Sequence, residues 1–278
     1  MKWRTLEENL FKLFMVVSLA IVIGSLVIIF GLVIVHGASS LSLEMLTQTP
    51  REGDGLGGGI LNAILGSLFL VLPATLCAFI IGIGISLYLQ KEFSHSWLSG
   101  FIRFTLDVLW GIPSIVYGIF CLMIMIALGV GASLLAGIIA LTLLEIPIIT
   151  RSMDEAIRLV PHGLKEGAYS LGSTKFETAL KVVQKQALPG ILAGVLLALG
   201  RGIGDAASIL FTAGFSNRIP GSLFDSTAAL PTTIYNLYSL PSGQPKAYAA
   251  AFILLVVVLL ISIISRLLSK RFMKYVIR

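Results

Sequence analysis

Charge is scarce in this chain of 278 residues: Asp, Glu, Lys and Arg make up 12% of it, against 56% for the hydrophobic types. A soluble domain cannot clothe its exterior with so little polarity, and the mean hydropathy of +0.97 leaves a lipid bilayer as the only solvent that fits. Cysteine is nearly absent, and Cys77 and Cys121 both fall in apolar runs, which excludes a disulfide framework. The three histidines, His36, His95 and His162, are scattered without metal-ligand spacing, so no metal site is expected.

What the chain has instead is length in its apolar runs. A lipid-embedded backbone must satisfy its polar groups internally, which takes a helix of about 20 apolar residues per crossing. Six spans are expected, at 11–35, 60–89, 108–128, 132–149, 190–214 and 248–268, making an all-α polytopic membrane protein. The first run exceeds an ordinary signal-peptide core and follows Glu7 and Glu8, so it is taken as an uncleaved helix. Sixteen of the twenty Lys and Arg residues then fall on one side. Arg51, Arg218 and Lys246 fall on the other, and Arg201 lies inside a span. The richer side faces the cytoplasm, so both termini are cytoplasmic and the chain is a multi-pass protein of the cell (inner) membrane. The net charge of +6 follows from that asymmetry beside anionic lipid, and no nucleic acid is implied.

One polar stretch, 151–187, separates the fourth and fifth spans. Pro161 interrupts it, and 163–186 reads as helix, break, helix with Gly172 at the break. Leu164, Ala168 and Leu171 make one apolar stripe, and Phe176, Ala179, Leu180 and Val183 a second. Such helices either rest on lipid headgroups or engage a partner. Gly167, Gly172, Ser173, Thr174 and Lys175 superficially suggest a phosphate loop. The Lys does not follow the second Gly, however, and no strand precedes it. No ATP site is encoded.

Arg201 stands about 11 residues past the inner start of its span, roughly 17 Å deep. A charge there costs at least about 2.5–3.5 kcal/mol, so it faces protein or water. Asp205 is four residues on, one turn along the same face, where it could neutralise Arg201. The pair is then either a closed ion pair that fixes packing or part of a path for an anion, Arg201 attracting and Asp205 moderating. Glu145 is expected near the inner end of the fourth span, reaching the interface or a basic residue of the loop. Pro189 is expected to end the loop.

Glu166, Gly167, Ala168 and Gly172, closed by Leu188 and Pro189, resemble the Glu-Ala-Ala loop of ABC importer permeases, with Gly167 in place of the first Ala. The run Gly111-Ile112-Pro113-Ser114-Ile115-Val116-Tyr117-Gly118 is similar to the phosphate permeases of the PstA type. So are Gly58-Gly59-Ile60 before Ser67, and Tyr88-Leu89 with Glu92-Phe93. Arg201-x-x-Gly204-Asp205-Ala206 resembles that family's Arg-x-x-Gly-Glu-Thr, with Asp for Glu and Ala for Thr, and Leu230-Pro231-Thr232-Thr233 resembles its last outer loop. The resemblance implies a type I ABC importer permease core at 57–268, preceded by a segment 1–56 that holds one added N-terminal helix and followed by a cytoplasmic tail, 269–278. It implies a translocation pathway that includes Arg201 and Asp205, and a coupling contact at Glu166, Gly167, Ala168 and Gly172. Its implied partners are a homologous permease chain of the PstC type, two ATPase subunits that bind the ATP, an extracytoplasmic phosphate-binding protein, phosphate and membrane lipid. The chain itself carries no cofactor and catalyses nothing. An importer of another oxyanion (molybdate or sulfate), and a secondary anion transporter or channel using Arg201 and Asp205 as its own relay, are the alternatives.

Overall fold

The computed structural model describes residues 2–51, 57–90, 93 and 96–273. Lys91, Glu92, His95 and the last five residues of the expected tail, Lys274 and Arg278 among them, lie outside the described residues. Those described are helical apart from loops and an isolated bridge between Pro50 and Gly58. The elements are α1 (Lys2–Ser39), α2 (Leu43–Thr47), α3 (Leu61–Tyr88), α4 (Ser96–Gly111), α5 (Ser114–Ala127), α6 (Leu134–Arg158), α7 (His162–Ser170), α8 (Lys175–Glu177), α9 (Gln184–Gly204), α10 (Leu230–Tyr238) and α11 (Gln244–Met273). A π-helical turn, Thr178–Val183, joins α8 to α9.

Five helical stretches are long and apolar enough to cross a membrane: Glu7–Ser39, Leu61–Tyr88, Leu134–Arg158, Lys175–Gly204 and Gln244–Arg271. The pair α4 and α5 supplies the sixth crossing, bent by 100°. It crosses and does not double back: Arg103 of α4 meets Asp154 near the end of α6, while α5 ends six residues before α6 begins. The span expected at 108–128 is therefore corrected to a broken one that begins in α4. Pro113 lacks the N–H that would bond the Leu109 carbonyl and keeps Ile112 out of helical conformation. The Tyr117 hydroxyl donates to that carbonyl at 2.8 Å instead.

Helices α3 and α6 form the centre. Leu70 and Ala74 pack with Leu134, Ile138, Leu141 and Leu144, joined by Tyr117 of α5 and by Ile209 and Ala213 beyond α9. Towards the loop side Ala78, Ile149 and Met153 pack with Val183, Ala187 and Ile191. Against these α1 is peripheral. Its apolar length is uncovered, and only its last turns meet α11, where the His36 and Tyr248 rings lie 5.2 Å apart.

Two further expectations change. The helix expected over 190–214 stops at Gly204, and Pro189 lies inside α9 and does not end the loop. Residues 205–229 contain no helix.

Candidate functional site

Depth is read from α6, whose middle carries Glu145. That residue is fully buried, and neither carboxylate oxygen has a hydrogen-bond partner among the described residues. A Cβ at Gly202 would overlap Glu145 Oε1 and come within 2.9 Å of Val71 Cγ2, so α9 is seated directly on α6 and α3 at that level. The end of α9 thus stands at mid-depth, and Arg201 with it. Glu145 is neither at the interface nor paired with the loop. The expectation failed because α6 runs on to Arg158, well past the apolar stretch that ends at 149, which moves Glu145 from the end of a span to its middle. The distance from the Ser133 cap to Arg158 was the signal that could have placed it.

Arg201 is exposed on this chain, one position round the helix from Gly202, which is buried. Asp205 does not continue its face. It is the first residue beyond α9, with φ −81 and ψ 113, and its Oδ2 accepts the Ser208 N–H at 2.9 Å and the Ser208 hydroxyl. No ion pair joins Arg201 to Asp205 among the described residues, which corrects the expected one-turn geometry. The carboxylate caps instead the turn that follows, held by Leu210 N to Ala206 O and Thr212 Oγ1 to Ser208 O, the latter at 2.8 Å. Ser208 went unnoticed in the sequence, although an Asp three residues before a Ser is a turn signal wherever a helix ends.

The arrangement has a defined chemical capacity. A helix stops at mid-depth, a non-helical segment carries the chain on to the far side, and a guanidinium with no carboxylate partner among the described residues stands at the junction. Non-helical backbone at membrane depth is tolerated only where protein buries it or where it lines a water-filled path. On one side this segment is buried: a Cβ at Gly118 of α5 would lie 2.6 Å from the Ser208 carbonyl oxygen, and Ser133 N donates to Thr212 O at 2.8 Å.

In the loop, α7 and α8 are separated at Gly172, whose φ of +83 is left-handed, a conformation that a β-branched residue resists. Thr174 and Glu177 form a capping box that restarts the helix. Leu164 is half-buried and Ala168 buried, but Leu171 is 89% exposed, so the first stripe is divided between the bundle and the outside. Phe176 is uncovered as well, while Ala179 and Val183 are buried. Glu166 and Gly167 are exposed, and a Cβ at Gly167 would meet nothing within 4 Å.

Residues 78–274 match the family described as binding-protein-dependent transport system inner membrane component. The chain belongs to this family. Among its relatives is the phosphate transport system permease protein PstA of Yersinia pestis, 34% identical over 261 residues, or 90% of this chain and 88% of that one. The PstA of Haemophilus influenzae is 34% identical over 268 residues, covering 95% and 94%. The probable ABC transporter permease protein YqgI of Bacillus subtilis is 31% identical over 267 residues, covering 90% of each. Of solved structures, an inward-facing MetNI methionine ABC transporter chain superposes with a TM-score of 0.62 at 18% identity, over 76% of this chain and 95% of that one. A chain of a bacterial ABC transporter involved in the import of alginate gives 0.60 at 15% identity, over 93% and 95%. At such identities these show the fold, and it is that of the type I ABC importer permeases. The permease is thus an all-helical, multi-pass membrane protein, as expected from its apolar runs.

Proposed function

We propose that this permease is a subunit of an ABC importer that moves inorganic phosphate across the cytoplasmic membrane, driven by ATP hydrolysis on separate subunits. The observation that carries the reading is Arg201: an exposed guanidinium at mid-depth, with no carboxylate partner among the described residues, placed where α9 gives way to non-helical chain. Facing lipid it would cost at least about 2.5–3.5 kcal/mol. Facing a second permease chain across a wet path, it attracts an anion. The relatives named as phosphate permeases support inorganic phosphate as that anion. Arg201 and Asp205 are assigned to the pathway, Arg201 as attractor and Asp205 as the cap that fixes where the path begins. ATP and its hydrolysis belong to two partner ATPases, an extracytoplasmic binding protein delivers phosphate, and this chain needs no cofactor. Residues 57–268 form the transport domain, with 1–56 and 269–278 outside it.

Glu166, Gly167 and Gly172 are assigned to the ATPase contact, and Ala168, expected there, is buried and seats their helix on the bundle instead. The uncovered Leu171 and Phe176 support this, since two large apolar side chains on a polar loop are unfavourable until a partner covers them. Gly172→Val is expected to force a branched side chain into a left-handed turn, and Glu166→Lys to reverse the charge at the contact. In proteoliposomes with the ATPase and binding protein, both variants should insert normally and lose most phosphate uptake while ATP hydrolysis continues. Wild-type uptake in both would remove the coupling assignment. Competition by molybdate and sulfate in the same vesicles tests the anion, and uptake that those ions block and excess phosphate does not would overturn phosphate as the substrate.

Orientation is assigned with both termini and α7 in the cytoplasm. With Cys77 and Cys121 replaced by Ala, Ser242→Cys, in the exposed turn before α11, should react with an impermeant thiol reagent on intact cells. Glu155→Cys should react only once the membrane is opened, and its labelling from outside would invert the topology.

A further inference from the structure

We propose that Glu145 is the resting counter-ion of Arg201, a carboxylate that receives the guanidinium once phosphate has left and so keeps the anion from being trapped on the path. This rests on the assignment of Arg201 to that path and adds to it the residue that sets how strongly phosphate is held.

The carboxylate lacks a partner where one is needed. Glu145 is wholly buried on α6, and neither of its oxygens has a hydrogen-bond partner among the described residues. The Thr75 hydroxyl of α3 approaches it, yet that oxygen is without a partner as well. A buried carboxylate is retained only where a proton or a cation compensates it.

The helices packed around Glu145 leave one candidate cation. Helices α3 and α5 contain no charged residue. On α6 the next charge is Arg151, more than a turn and a half further on, and it already pairs with Asp107 at 3.5 Å and Glu155 at 3.1 Å. Helix α11 has no charge between Lys246 and Arg266, near its two ends. On α9 the basic residues are Lys185, in the first turn, and Arg201, in the last.

Arg201 is within reach. A Cβ of Gly202 would overlap Glu145 Oε1. Consecutive Cα atoms are about 3.8 Å apart, so the Arg201 Cα stands within about 8 Å of that oxygen. An arginine side chain and one hydrogen bond cover the distance. The guanidinium is exposed and has no carboxylate partner among the described residues, while Asp205, the acid next along the chain, is engaged by Ser208.

The end of α9 lets the side chain swing. Gly190 and Gly194 hold the body of the helix on α6, where a Cβ would overlap Ala156 and Ser152. The turn that carries Arg201 has Gly200 and Gly204 on either side of it, and a Cβ at either would meet nothing within 4 Å. The guanidinium therefore passes from the path to the carboxylate with only this glycine-rich turn adjusting. Phosphate and carboxylate then compete for one guanidinium, and binding stays strong enough to load and weak enough to unload.

The test uses the full-length chain assembled with its associated subunits. Glu145→Gln keeps the size and hydrogen-bonding capacity of the side chain and removes its charge, and Glu145→Leu removes both. An apolar or neutral group in place of an unpaired buried charge is expected to leave the yield of complex at the wild-type level or above. In proteoliposomes, uptake of radiolabelled phosphate gives kcat per assembled complex. Equilibrium dialysis of the nucleotide-free complex without its binding protein gives the affinity of the permease for phosphate. Both variants are expected to bind phosphate about tenfold more tightly and to lower kcat by a similar factor, the effect of losing one charge-assisted competitor. In an Arg201→Gln background neither substitution should have a further effect, because the two residues act through one contact. Unchanged affinity and kcat in Glu145→Gln, with or without a change in Glu145→Leu, overturn the proposal, since a neutral acid bonded to Thr75 then suffices. So do a lowered yield with unaltered affinity, which marks a packing role, and effects that persist without Arg201. Arg201→Gln alone separates this inference from the reading beneath it. Normal uptake in that variant removes Arg201 from the path and the counter-ion with it, whereas lost uptake there with wild-type behaviour in both Glu145 variants overturns the counter-ion alone.

Discussion

Arg201→Gln is expected to lower phosphate uptake by about tenfold to a hundredfold while leaving the amount of assembled, membrane-inserted complex at the wild-type level. The two readouts separate because of where the residue stands. Arg201 is exposed on its own chain and has no carboxylate partner among the described residues, so removing its charge strands none of them. A buried ion pair would behave otherwise, since truncating one partner leaves an uncompensated charge and costs several kcal/mol. Asp205→Asn acts by another route, loosening the cap on Ser208 at a cost of a few tenths to about 1 kcal/mol. The double variant Arg201→Met with Asp205→Leu should therefore show the product of two separate losses, with no rescue, because the groups share no contact. Uptake of labelled phosphate and complex yield, measured for both single variants and the double, check this. Recovery of uptake in the double variant would show the pair to be merely structural, and the pathway would then pass to polar groups of the partner permease.

Gly66→Val is expected to remove most of the folded subunit from the membrane, with Gly167→Ala as the contrasting control. A Cβ at Gly66 of α3 would overlap the Ala228 carbonyl oxygen and stand 2.5 Å from Thr227 Oγ1. The obstacle is main chain, so no rotamer change relieves it, and the neighbouring residue holds it there: Ser67 Oγ accepts the Leu230 N–H at 2.8 Å. Thr227 is tied in turn by its N–H to Ala213 O at 2.9 Å, so the returning segment cannot retreat without disturbing the stretch after α9. Overpacking of this kind costs about 1–3 kcal/mol or more, a large share of a total stability of about 5–15 kcal/mol. At Gly167 nothing lies within 4 Å, and Ala should raise helix stability by about 0.5–1 kcal/mol. Protein yield after membrane extraction and the thermal unfolding midpoint distinguish the two. A Gly66→Val variant that unfolds at the wild-type midpoint would mean that α3 and the 227–229 segment do not pack this closely.

The polar loop between α6 and α9 was largely legible in the sequence, because its structure is local. The break at Gly172 depends on backbone conformation over a few residues, and the capping box at Thr174 and Glu177 restarts a helix without distant help. The charged centre was not. Periodicity carries α9 on to Asp205 and places that carboxylate under Arg201, since nothing in the spacing marks Gly204 as an end. The helix stops there because the next residues gain other partners: Ser208 packs against Gly118 of α5, and Thr212 takes the N–H of Ser133. Those groups lie 70 residues or more away in the chain. The bend between α4 and α5 is an intermediate case. Gly111 and Pro113 signal a break, but its 100° angle depends on what α5 packs against.

The sequence by itself determined that this protein is a multi-pass, helical membrane protein and where its polar loop turns. Each of these follows from solvation and local backbone preference, which act on residues near one another in the chain. Only the tertiary structure decided that Glu145 is buried against Gly202 and that Arg201 and Asp205 part company. The cause is the close packing of small residues between helices, which brings main chains together at distances that no pattern along a single helix encodes.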